Sequence, residues 1–503
     1  MGLTGKAETI APRPTLAKLA TVVAVPILAV LLAAAAPSKM SPAAPLSNSD
    51  ALLYRTAFLA MAAGTWNASL AVAGQASDPL LAKVLHAHDL AREDGDAEFD
   101  EVAGFLTANP DWPNRSVLRL QAERLMPPTL PVDRVAAWFD THPPLTFDGT
   151  MRYADALSDL ERSDDLRQYL KQRWTGIALN ATQRDILIGR YGDLLSAEDH
   201  AARLDALVWA QRRTEAREMY PLVDRDLSAV AEARLRLAGN RSGVDVAVDA
   251  VPAELAEDEG LVYERVRWRR RADRTEGAIE LLALQPERPS QPRRWWTERN
   301  ILARRLFSDG DHEGAYALAS VHRQREGFQL AQAEWLSGWL ALRFIDRPDL
   351  ALGHFQRLYD NVGTPISLAR GAYWTAATHE ALGDADEALR WYRTAAAYDT
   401  VFYGQLAAGR LGLPSVATLP ADPSVPPAVA AEFEHDEFVR IVRALHQIGA
   451  AERADPYLRA LANGAEDSDR TVLTVRLALA TQRRHIAVRE AKQAVADGQL
   501  LVE

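Results

Sequence analysis

Tryptophan is one of two residue types whose number and placement in this 503-residue sequence could support chemistry, with twelve copies spread along the chain. Aromatic rings stack on sugar rings, so a glycan-binding surface is one interpretation. The other is packing between helices, where each ring buries a large area. We favour packing for the majority, above all for Trp335 and Trp339, whose i, i+4 spacing puts them on one helix face. The other tryptophans considered are Trp112, Trp209, Trp268, Trp295, Trp296, Trp374 and Trp391.

Arginine is the second, because one short run holds six copies within residues 265–274. A basic patch inside a curved surface could guide an anionic polymer. The alternative is a solvated helix face, which we favour slightly. Whether these side chains line an inner surface stays open. The run comprises Arg265, Arg267, Arg269, Arg270, Arg271 and Arg274, followed by Arg293 and Arg294.

No other combination of residues predicts catalysis or metal binding. His86 and His88 are two positions apart, so on a helix they point to different sides and cannot share a metal. His379 and Glu380 begin an H-E-x-x-H pattern, but Gly383 stands in place of the second histidine. The absence of cysteine excludes disulfides, thiolate catalysis and Cys-ligated zinc. We therefore name no catalytic, cofactor-binding or metal-binding residue and expect no cofactor.

Composition predicts an all-α protein without nucleic acid as its main partner. The formal charge of −11 lacks the basic field that phosphate neutralisation requires. Alanine and leucine dominate, which favours helix, and alternating β-branched runs are scarce. A single compact core rarely grows past about 300 residues. The chain is therefore expected to form several domains or a solenoid.

The segment from Ile366 to Gly412 shows the construction most clearly, with three short amphipathic helices separated by sharp breaks. Gly383 is placed for a left-handed helix C-cap. Asp384 is a predicted N-cap, with Glu387 positioned to complete a capping box. The three predicted buried faces hold Ala369, Tyr373, Ala376 and Ala377; Ala385, Ala388, Leu389, Tyr392, Ala395 and Ala396; and Phe402, Tyr403, Leu406 and Ala407.

An alanine recurs in the second helix of successive predicted hairpins. Intervals near 34 residues are typical of tetratricopeptide-like two-helix repeats, which stack into a curved superhelix. The spacing here drifts, so the repeat is irregular. The predicted fold is an all-α superhelical solenoid of irregular TPR-like hairpins. The alanines are Ala216, Ala247, Ala278, Ala315, Ala351 and Ala388.

The first 36 residues resemble an export signal. Lys6, Arg13 and Lys18 precede an apolar run from Leu19 to Ala36 that ends in four alanines, which suits a small-residue cleavage site. An uncleaved anchor is the alternative, because 18 residues can just span a bilayer. We predict a signal peptide at 1–36 and a linker at 37–49, with no stable membrane span after cleavage.

A proline-rich segment divides the remainder. Residues 413–427 contain five prolines and no helical face, and helices end at or before such positions. We predict a superhelical domain at 50–412, a linker at 413–427 and a small helical domain at 428–503.

Several segments resemble the soluble lytic murein transglycosylases in the order of that family. The likeness is sharpest at Thr400–Gly412 (TVFYGQLAAGRLG). It extends to Phe105–Glu123, Tyr191–Ala210 and Trp295–Phe344, and to parts of Asp436–Ala494. The resemblance covers nearly the whole chain after the signal.

The resemblance implies a periplasmic protein in which a superhelical U-shaped domain and a linker domain close into a ring. In that family a lysozyme-like domain on the ring cleaves the MurNAc–GlcNAc bond of peptidoglycan without water, giving 1,6-anhydromuramic acid. One glutamate acts as acid and then as base, unlike the usual two-carboxylate scheme. The implied partners are peptidoglycan glycan strands and other periplasmic cell-wall proteins.

The sequence departs from the family in lacking the catalytic Glu-Ser motif, and the Glu-Ser dipeptide is absent from these residues. The resemblance therefore assigns no catalytic residue here. We expect the ring-forming part of a longer transglycosylase, without its catalytic domain. The alternatives are a non-catalytic periplasmic scaffold and a glycan-binding protein.

Overall fold

The computed structural model describes residues 46–414, 423–465 and 467–496, and within these ranges the regular structure is entirely helical. The all-α prediction is confirmed. No helix in the described ranges combines the length and apolar character needed to cross a membrane. The predicted signal peptide, 1–36, lies outside the described residues, as do most of linker 37–49 and half of linker 413–427.

The helices follow one another with short connections, as expected for stacked helix pairs. The first fourteen are α1 (Asn48–Ala62), α2 (Trp66–Ala73), α3 (Leu80–Leu90), α4 (Phe99–Ala108), α5 (Arg115–Leu125), α6 (Val132–Thr141), α7 (Phe147–Asp159), α8 (Ser163–Gly176), α9 (Ala181–Tyr191), α10 (Ala197–Trp209), α11 (Arg213–Glu218), α12 (Arg225–Ala238), α13 (Val244–Asp249) and α14 (Glu259–Arg271). The remainder are α15 (Thr275–Leu282), α16 (Pro292–Ser308), α17 (His312–Ser320), α18 (Gly327–Arg343), α19 (Pro348–Asp360), α20 (Pro365–Leu382), α21 (Ala385–Ala396), α22 (Phe402–Arg410), α23 (Pro427–His435), α24 (Glu437–Gln447), α25 (Asp455–Asn463), α26 (Ser468–Ala480) and α27 (Arg484–Ala496).

Small residues allow the helices of a hairpin to approach closely. Five of the six repeated alanines are buried, and Ala247 is partly buried. Gly371 in α20 leaves so little room that a Cβ there would lie 3.1 Å from the backbone of Tyr359 in α19. The hairpin repeat predicted from the alanine spacing is therefore confirmed.

The predicted break between α20 and α21 is confirmed, with one correction. Gly383 has φ of 80° in the left-handed region, and the Asp384 carboxylate accepts a hydrogen bond from the backbone N–H of Glu387. The reciprocal half of the capping box is not formed. Glu387 instead pairs with Arg390 one turn later, since that ion pair lies on the same helix face.

The predicted buried face of α22 is wrong at two positions. The side chains of Phe402 and Leu406 are exposed, whereas Gly404, Ala407 and Ala408 are buried. The contact with α20 and α21 is close, so it selects the smallest side chains of the helix. The aromatic ring that packs there is Tyr403, 5.4 Å from Tyr373 between ring centroids.

Arginines tie successive hairpins together through helix-end carbonyls. Arg203 donates from α10 to the Trp174 carbonyl near the end of α8, and to Ile177 beyond it. Arg271 donates to Ala238 at 3.1 Å, and Arg305 donates to Arg270 at 3.1 Å. The last four carbonyls of a helix lack the partner that the helix interior provides, and these arginines supply donors to such carbonyls. Stacking thus depends on polar bonds between repeats as well as apolar packing.

The small C-terminal helices close the superhelix into a ring. One continuous apolar cluster joins residues 46–235 to residues 433–487. Helix α24 contacts α3 near the start of the chain, and α27 contacts α20 near the end of the superhelix. The ring predicted from the family resemblance is therefore confirmed. The domain boundaries at 412 and 428 stay predictions, although α22 ends at Arg410 and α23 begins at Pro427.

We expect Gly404→Ala to destabilise the end of the superhelix by about 1–3 kcal/mol, an overpacking cost. A Cβ at this position would lie 1.8 Å from the Tyr398 carbonyl oxygen, which is backbone and cannot simply turn aside. Gly409→Ala on the same helix is the matched control, because nothing lies within 4 Å of its Cβ. That variant should be neutral or stabilised by up to about 1 kcal/mol. Thermal melts showing equal changes for both would contradict this prediction.

Candidate functional site

The loop between α4 and α5 builds one side of the place where the ring closes. Helix α4 ends before Pro110, whose ring disfavours helical geometry at Asn109. Asn114 adopts a left-handed conformation with φ of 59°. The Arg115 guanidinium fixes the loop by donating to the carbonyls of Leu106 at 3.0 Å and Asn109 at 2.6 Å.

Trp112 occupies the centre of this junction, and only 5% of its surface is exposed. Its ring makes edge contacts with Phe105 at 5.3 Å, Tyr457 at 5.5 Å and Phe438 at 6.0 Å between centroids. Lys83 Nζ lies 5.1 Å from the same ring, within cation–π range. Burial, with Glu437 nearby, raises the pKa of Tyr457. Trp112 thus joins the loop between α4 and α5 to helices α24 and α25.

Polar bonds reinforce this contact between residues 46–115 and 433–470, which we call the ring seam. Lys83 pairs with Glu437 at 2.5 Å, and Arg440 pairs with Asp78 at 3.0 Å. The Gln447 amide binds Leu46 twice, accepting from its N–H and donating to its carbonyl, both at 2.9 Å. These bonds fix the register of closure in addition to the apolar contacts.

A cleft of about 910 Å³ opens along the ring seam. This volume is in the range of small-molecule sites. Asp111, Asn114 and Asn463 expose polar side chains on it, and Arg459 is half exposed, 4.0 Å from Asp455. We call this the seam cleft. Its lining comprises residues 108–115, Asp436, Glu437, Phe438, Pro456, Arg459, Ala460, Leu461, Asn463, Gly464 and Arg470.

The charged side chains of the seam cleft are partly engaged with one another. Asp436 accepts from the Phe438 backbone at 2.8 Å and pairs with Arg470 at 2.9 Å. Glu437 is held by Lys83. Both carboxylates therefore serve in structural pairs. The amides and the charges of Asp111 and Arg459 provide donors and acceptors at its rim.

The arginine run 265–274 is neither a free basic patch nor a simply solvated face. Arg267 pairs with Glu264 at 3.2 Å, and Arg270 pairs with the buried Glu298. Arg269 donates to Gly277 at 2.6 Å, and Arg274 lies over Trp268. Arg294 likewise bonds the Trp209 carbonyl at 3.0 Å. The run connects α14 to its neighbours, so little of its charge is free to guide a polymer.

The packing interpretation of the tryptophans is confirmed. All twelve are buried or partly buried. The rings of Trp335 and Trp339 in α18 stack with their centroids 5.7 Å apart. Trp374 in α20 stacks on Phe355 in α19 with the centroids 5.6 Å apart. The faces of these stacked rings contact other protein rings, so they are not open platforms for sugars.

The histidines do not converge on a metal. His86 faces Glu101 at 3.7 Å and Phe105 on α4, whereas His88 is exposed on another side of α3. His379 lies 3.5 Å from Asp384. Within the described ranges, no group of three histidine, aspartate or glutamate side chains is arranged to hold a metal ion.

The sequence did not reveal the ring seam as a site. Trp112 stood out only as one tryptophan among twelve, and its partners lie more than 300 residues further along the chain. The available signal was the Asn-Pro-Asp-Trp-Pro-Asn loop, in which two prolines and a left-handed asparagine hold a large ring between two helices.

Comparison with known proteins identifies the fold. No protein-family model and no curated protein matches the sequence. The structure is similar to that of an inactive mutant of the lytic transglycosylase Slt from Pseudomonas aeruginosa. The TM-score is 0.66 at 20% identity, over 88% of this chain and 70% of that one. The 70-kDa soluble lytic transglycosylase in complex with bulgecin A gives 0.60 at 16%, over 89% and 70%. The resemblance seen in the sequence is thus confirmed at the level of structure: this chain has the superhelical fold of the soluble lytic transglycosylases.

Proposed function

We propose that this protein handles peptidoglycan glycan strands in the periplasm, as the superhelical portion of a lytic murein transglycosylase. The observation that supports this most is the fold shared with two lytic transglycosylases over 88% and 89% of the chain. One of those structures is a complex with bulgecin A. The family reaction is non-hydrolytic cleavage of the MurNAc–GlcNAc bond, and we assign no catalytic residue of this chain to it.

The seam cleft is the place where a glycan would contact this part of the protein. Its rim presents neutral amides from Asn114 and Asn463, which match the hydroxyl and amide groups of N-acetylated sugars. The rim charges are balanced, with Asp111 and Arg459 exposed on it. A neutral sugar chain therefore meets no net electrostatic barrier. The fold comparison and the cleft chemistry support the proposed role in glycan binding. The proposed periplasmic location is supported by the fold comparison alone.

Co-sedimentation with murein sacculi tests the proposal. We expect residues 37–503 to sediment with sacculi and to release no anhydro-muropeptides, since the Glu-Ser motif of the family's catalytic glutamate is absent from these residues. The double variant Arg459→Ala, Asn463→Ala should weaken sedimentation about tenfold, because two charged or polar contacts are lost.

The matched control is Arg225→Ala, Asn67→Ala, which removes one arginine and one asparagine from exposed positions outside the cleft. It should bind as the unaltered protein does. Release of anhydro-muropeptides would contradict the assignment of a non-catalytic portion. Equal weakening by both double variants would remove the cleft from the proposal while leaving glycan handling in place.

A protein-binding scaffold is the second candidate function, favoured by one surface feature. Phe328, Ile366 and Phe402 are 71%, 61% and 61% exposed. They stand at the first turns of α18, α20 and α22. Large apolar side chains exposed at equivalent positions of these helices are suited to contact a protein partner. Failure to sediment with sacculi would favour this function over glycan handling.

A further inference from the structure

Four arginines converge on a second pocket, of about 360 Å³, on the superhelix away from the ring seam. Its lining is Arg213, Arg217, Leu235, Arg236, Arg241 and Ser242. A protein with a formal charge of −11 concentrates positive charge here. Such a concentration is costly without a counter-charge, because like charges repel across a shared cavity.

The local fold brings these arginines together. Arg213 and Arg217 are on α11, Arg236 is on the last turn of α12, and Arg241 is in the turn that follows. That turn reverses the chain through two left-handed residues, Asn240 with φ of 48° and Gly243 with φ of 75°. Glycine takes such a conformation without steric cost, so the tight return places Arg241 beside the end of α12.

The Glu232 carboxylate holds two of the four arginines in place. Glu232 receives Arg217 at 2.9 and 3.2 Å and Arg236 at 2.8 Å, and Tyr220 donates to it at 3.0 Å. Burial opposes ionisation of Glu232, but the hydrogen bonds from Arg217 and Tyr220 outweigh it and lower its pKa. Arg236 also donates to the Ser242 carbonyl at 2.9 Å. These two guanidinium groups are therefore held in place before any ligand arrives.

The other two arginines have no such partner. The backbone N–H groups of Arg213 and Arg241 donate to the carbonyls of Gln211 and Arg236. Their side chains make no hydrogen bond, ion pair or ring contact with the described residues. Arg213 lies across Gly239, where a Cβ would come within 2.8 Å of its Nη2. Of the four arginines that line the pocket, Arg217 and Arg236 are thus paired with Glu232. The other two keep all their side-chain donors free.

We propose that this pocket binds a multivalent phosphate oxyanion. Guanidinium forks match phosphate oxygens bidentately, and two preset arginines with two free ones surround such an anion from several sides. A monocarboxylate would leave most of the excess charge uncompensated. The pocket volume accommodates a phosphate or pyrophosphate group, whether free in solution or carried on a lipid headgroup.

Isothermal titration calorimetry of the whole chain with sodium pyrophosphate tests this inference. We expect saturable binding of one pyrophosphate. The double variant Arg213→Ala, Arg241→Ala should weaken it about tenfold or more, because two charge-assisted contacts disappear. Neither arginine has a structural partner, so the variant should melt as the unaltered protein does.

Arg288→Ala, Arg293→Ala is the matched control, since it removes the same charge from exposed positions outside the pocket. Its binding should change by less than about twofold, reflecting long-range charge only. Equal weakening by both double variants, or no binding by the unaltered protein, would overturn the proposal. Vesicles containing phosphatidic acid, whose phosphomonoester headgroup is multivalent, distinguish the sources. Capture that pyrophosphate competes away identifies a headgroup, and pyrophosphate binding without capture identifies a soluble phosphate.

Discussion

Replacing Glu334 by alanine should lower the free energy of unfolding by about 3–5 kcal/mol, the cost typical of breaking a buried ion pair. The Glu334 side chain is 4% exposed and receives three partners: His354 at 2.6 Å, Arg357 at 2.8 Å and His322 at 3.3 Å. These groups come from the loop before α18 and from α19. Removing the Glu334 carboxylate would leave these buried donors without their acceptor. Chemical denaturation measures the loss.

The same side chain predicts how stability depends on acid. Burial disfavours the charged form, but hydrogen bonds from His322, His354 and Arg357 outweigh it and hold the Glu334 pKa below its ordinary value of 4.5. A depressed folded pKa means that this stabilisation is present above the unfolded value and lost as pH falls below it. Glu334→Ala should therefore show a weaker loss of stability between neutral pH and acid than the unaltered protein.

Arg134→Ala, which breaks an exposed pair with Asp100, is the control. It should leave the melting temperature nearly unchanged, because surface pairs contribute little. A Glu334 variant that melts like this control would show that the buried cluster does not stabilise the fold.

Trp112→Ala should open the ring as well as destabilise the protein, with a cost of about 3–5 kcal/mol for truncating a buried tryptophan. The Trp112 indole contacts Phe105 on its own side of the seam, and Phe438 and Tyr457 on the other side. Losing it removes the apolar centre of the closure, and the polar bonds around it then become accessible to water. Small-angle scattering below the melting temperature should show a larger radius of gyration.

Trp174→Ala is the matched comparison, because that side chain is fully buried inside the superhelix and not at the seam. It should lower the melting temperature similarly while leaving the radius of gyration unchanged. Equal expansion of both variants would mean that the response is general loosening rather than opening of the ring.

The predictability of this fold follows the range of the interactions involved. Gly383 and Asp384 were identified correctly, because capping depends on neighbours within four residues. Phe402 and Leu406 were placed inward wrongly. Helical periodicity marks an apolar face, but it does not report that the neighbouring helices are too close to admit large side chains.

The arginine pocket shows the same limit more strongly. The free arginines Arg213 and Arg241 precede the conspicuous run 265–274 in the sequence, and they meet only because the turn after α12 reverses the chain. In the run itself, Arg269 and Arg271 donate to carbonyl oxygens. Backbone acceptors have no residue type, so nothing in the sequence marks those arginines as already occupied.

The ring seam has a consequence for how the protein is made. Its hydrogen bonds join residues between 354 and 401 positions apart. Contacts of such separation form late, since the entropy of closing the intervening chain must be overcome first. During synthesis the apolar surface of α1 and α3 stays exposed to solvent until α24 and α25 have been synthesised. The nascent superhelix is therefore an aggregation-prone intermediate whose protection depends on the synthesis of α24 and α25.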